Sequence, residues 1–168
     1  MTALRQTVAI GIILFSFEFV KKRKFIPFLL LVLLASTFHY SALVFLPAYF
    51  IGYKKLTKSY LALSILIIPV VYIFRYYIFL FISDVSVYNY NTFESEGPTT
   101  LLFLMLIVFA GGIIQLKNVL RRSENNITLY NFSFISIILA ILAFVNPVAL
   151  RLSYYYHVFY ILFIPEII

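Results

Sequence analysis

The sequence predicts an all-α fold: a polytopic transmembrane bundle of about six or seven membrane-embedded helices, one pair of them forming a short broken hairpin. Three observations lead there. Hydrophobic residues fill 64% of the 168 positions and charged residues only 11%, whereas soluble domains carry about 45–50% and about 25%. The apolar runs are continuous rather than alternating, which argues against a β-barrel. The basic residues sit in short clusters between those runs, the pattern that orients membrane helices.

These observations exclude several classes. A mean hydropathy of +1.03 is more apolar surface than a soluble core of this size can hide. Disorder needs low hydrophobicity and is excluded with it. The chain has no cysteine, so disulfide frames, thiol nucleophiles and thiolate metal sites are out. A net charge of +7 resembles a nucleic-acid footprint, but its distribution does not. Ten of the 13 basic residues form three groups: Lys21, Lys22, Arg23 and Lys24; Lys54, Lys55 and Lys58; Lys117, Arg121 and Arg122. Such groups mark cytoplasmic ends and touch anionic lipid, so the expected partner is the bilayer and not nucleic acid.

The elements follow in order. The first helix covers residues 3–20 and has its positive charge after the apolar run, the reverse of a signal peptide. It enters with its N-terminus outside. Residues 25–53 have basic groups at both flanks and polar His39, Tyr40 and Ser41 in the middle. One helix of that length would place Lys54 outside. Two short helices, 25–37 and 41–53, dip in and return with His39 near the outer turn. Residues 59–83 span next, with Pro69 as a kink candidate. A polar loop, 84–98, carries Asp84, Glu94 and Glu96. The crossing over 99–116 has Gly111 and Gly112 as a close-packing or bending point. Crossings over 127–148 and 152–168 complete a single transmembrane domain over 1–168.

This orientation leaves Arg5, Arg75, Arg151 and His39 in the outer half of the membrane. Intramembrane charge is costly and is a functional-site signal by default. Snorkelling at helix ends is the competing account for Arg5 and Arg151. It suits Arg75 less, which lies roughly 12 Å along its helix from Ser83. Guanidinium groups bind phosphate bidentately and stay charged, so the set fits a lipid-linked diphosphate. Tyr154, Tyr155 and Tyr156 follow Arg151. They are either an interfacial belt or faces for sugar rings. His39 is either a structural residue at a helix break, a phosphate contact or a general base. No Gly-rich phosphate loop or metal-spaced ligand cluster is present, so no cofactor or metal is expected. Asn126-Ile127-Thr128 and Asn131-Phe132-Ser133 match a glycosylation sequon, but they fall near the cytoplasmic side and are discounted.

Two segments carry a family resemblance. Leu4-Arg5-Gln6-Thr7-Val8-Ala9-Ile10 opens an apolar helix that ends in a basic break. Leu34-Ala35-Ser36-Thr37-Phe38-His39-Tyr40-Ser41-Ala42-Leu43 follows. Together they resemble the EpsG family of Wzy-like bacterial polysaccharide polymerases. The later Arg151-Leu152-Ser153-Tyr154-Tyr155, running on to Pro165, is similar to that family's final motif. Members of that family carry further helices before this region, so the resemblance implies a C-terminal half or fragment of a larger membrane protein. It implies polymerisation of undecaprenyl-diphosphate-linked oligosaccharide repeat units at the outer face of the bacterial cytoplasmic membrane, in exopolysaccharide, capsule or O-antigen synthesis. Other polysaccharide-assembly membrane proteins are implied as partners. The residues carried over are Arg5, Gln6, His39 and Arg151; His39 and Arg151 are assigned to catalysis. Substrate binding falls to Arg5 and Gln6, joined by Arg75, Tyr154 and Tyr155 from the topology.

Two other readings remain open on the sequence. A transporter or flippase of lipid-linked sugars would use the same arginines without chemistry, and broken helices occur in transporters. An inactive fragment or non-catalytic membrane partner would use none of them.

Overall fold

The computed structural model describes residues 2–85 and 97–168. The acidic positions Glu94 and Glu96, and the side chain of Asp84, lie outside the described residues. Within them the chain is helical, with no strand, in agreement with the predicted all-α class. By length and composition two helices are able to cross a membrane, over Ala3–Lys21 and Lys58–Ile82, and a bent pair makes a third. The remaining apolar helices are shorter than a full span.

Helix α1, Thr2–Lys21, buries Gln6, Ala9, Ile13, Ser16, Phe17 and Val20. That spacing is one stripe of a 3.6-residue period. Against it packs α2, Phe25–Phe38, through Phe28, Val32 and Ala35. The turn between them is closed by Arg23 in the left-handed region, at φ 53°. α2 stops at His39, which is extended at φ −152° and ψ 113°. A 3-10 segment, Tyr40–Phe45, and a single α turn, α3 over Ala48–Ile51, carry the chain back. The expected break at His39 is therefore present. The returning arm is 3-10 in its first half, and Pro47, which has no N–H to donate, stands between it and α3. The tighter helix rises about 2.0 Å per residue rather than 1.5 Å, which lengthens the reach of this short arm.

Helix α4, Lys58–Val85, runs unbroken through Pro69. α5, Thr99–Ile114, bends by 77° into α6, Leu116–Arg122. The bend falls at Gln115, just after the two glycines. Gly112 itself serves close packing: a Cβ there would meet the Phe163 ring at 2.7 Å and the Tyr130 ring at 3.0 Å. α7, Asn126–Leu142, is the hub, buried on nearly all sides and packed by α4, α5, α8 (Val148–His157) and α9 (Tyr160–Ile167). A helix buried all round must pair its polar groups internally. Asn126, Asn131, Ser133 and Ser136 do so, while the buried Thr128 hydroxyl is left without a partner among the described residues. The corner after α7 is shorter than the predicted crossing, because Asn146 Oδ1 accepts the Val148 N–H at 2.9 Å and Pro147 starts α8. The predicted final run over 152–168 is accordingly two helices, α8 and α9.

The bundle has two distinct ends. At one, Tyr53 donates to the Val20 carbonyl and Arg23 stacks 4.5 Å over the Tyr53 ring. Asn131 donates to the Gly52 and Lys54 carbonyls, and Lys21 shares a pocket with Asn125 and Asn126. These links gather all three basic clusters at that end. The opposite end holds the start of α1, the His39 break and the start of α8.

Candidate functional site

The site forms where three sequence-distant segments meet. Gln6, on the first turns of α1, is buried and donates its side-chain amide to the Arg151 carbonyl at 2.8 Å. Arg5 stands beside it, exposed. Ser41, in the first 3-10 turn after His39, shares a hydrogen bond of 3.1 Å with the Tyr155 hydroxyl. One residue on, the Tyr156 hydroxyl donates to the Val44 carbonyl at 2.8 Å. Four of the predicted residues, Arg5, Gln6, His39 and Arg151, thus belong to one tied corner of the bundle. Below it the same elements are fastened by an aromatic core in which Phe45 stacks on Phe159 and Phe17 packs on Phe132 and Phe159.

Each side chain has a reason for its place. Arg151 is exposed because α8 begins only at Val148, which sets it at the rim. Tyr155, one helical turn on from Arg151, is fully buried. Its role in the geometry is to hold the His39 turn through Ser41. Tyr154 is half-buried and keeps part of its ring open. His39 is half-buried, its backbone ending α2.

Arg75 reaches this end from another side. Val71, Arg75 and Ile78 share one face of α4. Val71 and Ile78 pack against Leu142, Ala143 and Ala149, with Leu150 alongside. This puts Arg75 level with the α7–α8 corner. Its guanidinium is held by its own helix, 2.6 Å from the Tyr72 carbonyl and 4.6 Å over the Tyr72 ring. α4 continues beyond this level to Val85.

In chemical terms the corner offers two permanent cations, Arg5 and Arg151, an imidazole and a phenol-bearing face, with Arg75 as a third cation at the same end of the bundle. No group of three or more metal-type side chains gathers among the described residues. Comparison with known proteins adds one result. The model of the EpsG family matches residues 1–168. The chain belongs to the EpsG family. No curated protein and no solved structure matches it. Family membership and apolar helices together make this EpsG chain a membrane protein with a polysaccharide-polymerase-like role. The tied corner is built from the segments on which the resemblance rests.

Some structural residues of this EpsG chain escaped the sequence reading. Asn131 was visible only as part of a sequon. It is buried and engaged by two carbonyls and the Tyr60 hydroxyl. Asn126 is equally buried and donates to the Val119 carbonyl and to Glu166. The signal that could have found them is an amide placed in an otherwise apolar hub helix.

Proposed function

We propose that the protein polymerises oligosaccharide repeat units carried on a polyprenyl diphosphate, at the membrane face where Arg5, Arg75 and Arg151 lie. The observation that supports this reading is the Gln6–Arg151 bond, which holds the two arginine-bearing motif segments side by side. In this reading an acceptor sugar hydroxyl attacks the anomeric carbon of the donor chain. The new glycosidic C–O bond forms as the bond from that carbon to the diphosphate oxygen breaks. The electron pair leaves with the lipid diphosphate, whose growing charge the guanidinium groups stabilise. The hydroxyl proton passes to His39. Tyr154 offers its open face to a sugar ring, while Tyr155 and Gln6 hold the segments in register. This face is the outer one by the distribution of the basic clusters, and the membrane is the bacterial cytoplasmic membrane.

The test is complementation of a polymerase-null polysaccharide strain, with the chain expressed together with any in-frame upstream sequence. Glycan length is read at matched protein levels. Long glycans that collapse to single repeat units in His39→Ala and Arg151→Ala support the reading. Single units that reach the outer face without lengthening in any form overturn it in favour of transport. The broken α2 arm at His39 would fit that outcome.

A further inference from the structure

A second polar site lies at the basic end of the bundle. Between α1, the α6–α7 joint and α9 is a cavity of about 270 Å³. Its polar lining is Lys21, Ser123, Asn125, Asn126 and Glu166, on a floor that includes Phe17. Along α1, Lys21 lies roughly 22 Å from Gln6. The cavity is therefore separate from the tied corner, and nothing about it depends on the polymerase reading.

Its charges do not satisfy one another. Lys21 forms its ion pair with Glu18, on its own helix. Glu166 accepts the Asn126 amide at 2.9 Å and makes no ion pair among the described residues. Arg122 stands beside it, but its Nη1 donates to the Pro165 and Glu166 backbone carbonyls, at 3.3 Å each, and not to the carboxylate. Glu166 is thus a carboxylate in the cavity wall without an ion-pair partner among the described residues, and it is the acceptor the cavity offers to a cationic group. The same cavity supplies the Lys21 ammonium, the Ser123 hydroxyl and the Asn125 amide, which are donors for an anion. A purely anionic ligand would meet Glu166; a purely cationic one would meet Lys21.

We propose that this cavity binds a compact zwitterion of a primary ammonium and a phosphate, the chemistry of an aminoethyl-phosphate headgroup. The ammonium goes to Glu166 and the phosphate to Lys21, Ser123 and Asn125. The cavity has room for such a compact headgroup, at about 270 Å³. Leu129 and Leu162, also in the lining, give apolar wall for the glycerol side of a lipid. The source is either a membrane lipid or a soluble aminoethyl phosphate, and the test separates them.

The purified protein is loaded with phosphatidylethanolamine, phosphatidylglycerol or phosphatidylcholine of matched acyl chains, and retained lipid is counted by native mass spectrometry. Wild type should retain phosphatidylethanolamine at least about fivefold over phosphatidylcholine, whose trimethylated nitrogen has no N–H to donate. Glu166→Gln keeps an acceptor for Asn126 while removing the charge, and should erase that preference. A ranking led by phosphatidylglycerol, an unchanged preference in Glu166→Gln, or equal retention of the two zwitterionic lipids by wild type together with no Glu166-dependent thermal shift by phosphoethanolamine would each overturn the proposal. The wild-type comparison needs no variant to fold. Soluble phosphoethanolamine is assayed in parallel by thermal shift. A shift lost in Glu166→Gln with no lipid preference assigns the site to the soluble compound. Lipid preference without a shift assigns it to the membrane.

Discussion

The side-chain amide of Gln6 and the backbone carbonyl of Arg151 are 2.8 Å apart although 145 positions separate the two residues. Inside α8 that carbonyl already takes the helical N–H four residues on, so Gln6 supplies its second bond. Removing the amide therefore leaves no stranded acceptor and costs only about 1 kcal/mol. What it removes is the registration of α1 on α8. Gln6→Met is expected to lower the melting temperature by about 2–4 °C and to shorten the glycan product far more than that loss explains. Complementation at matched protein level, with a melting curve in detergent, checks both. A glycan of normal length would show that the bond only stabilises.

Asn131 is the more costly position. Its amide holds the Gly52 and Lys54 carbonyls at 2.9 and 3.0 Å, in the irregular chain after α3. Its carbonyl receives the Tyr60 hydroxyl at 3.0 Å. Asn131→Leu leaves those partners facing an apolar hub, at about 1–3 kcal/mol for each group that stays unpaired. Tyr60→Phe gives up one bond, about 1 kcal/mol. The expected order of folded yield is wild type, then Tyr60→Phe, then a much lower Asn131→Leu, read by fluorescence-detected size exclusion.

The residues explain which parts of this architecture were legible in the sequence. Continuous apolar runs, basic clusters and the polar break at His39 are one-dimensional signals, and each has its counterpart in the helices. The arginine motifs were legible as residue types, but their meeting through Gln6 and Tyr155 was not. Those are single hydrogen bonds across the bundle, and no local spacing encodes them. Gly111 and Gly112 read as a close-packing or bending point, and the 77° bend falls at Gln115. Close packing is what Gly112 serves, against Phe163 and Tyr130. The corner at Asn146 and Pro147 ended α7 early, since a cap and a proline outweigh an apolar run that continues past them.

Two glycines in apolar helices should behave oppositely. At Gly11 nothing lies within 4 Å of an added Cβ, so Gly11→Ala gains helix propensity, up to about 1 kcal/mol. At Gly112 the Cβ would meet ring carbons at 2.7 and 3.0 Å, and Tyr130 donates to the same residue's carbonyl. Both rings are buried and packed on each other, so neither has space to yield. Gly112→Ala should cost about 1–3 kcal/mol as an overpacked site. Melting curves of the pair decide it. Equal melting temperatures would mean that α5 shifts freely against α9.

Arg23 combines a backbone cost with a side-chain gain, and three variants separate them. Its φ of 53° lies in the left-handed region, where a residue with a Cβ pays about 1–2 kcal/mol. Its guanidinium stacks 4.5 Å over Tyr53, which returns about 0.5–1 kcal/mol at an exposed site. Arg23→Ala keeps the backbone cost and loses the stacking, so it should melt below wild type. Arg23→Gly loses the stacking and also the cost, so it should melt at or above wild type and above the alanine variant. Arg23→Lys keeps charge and backbone cost but stacks less well, and should fall between alanine and wild type. If glycine proves no better than alanine, the turn does not hold Arg23 in the left-handed region and the α1–α2 hairpin closes by another geometry.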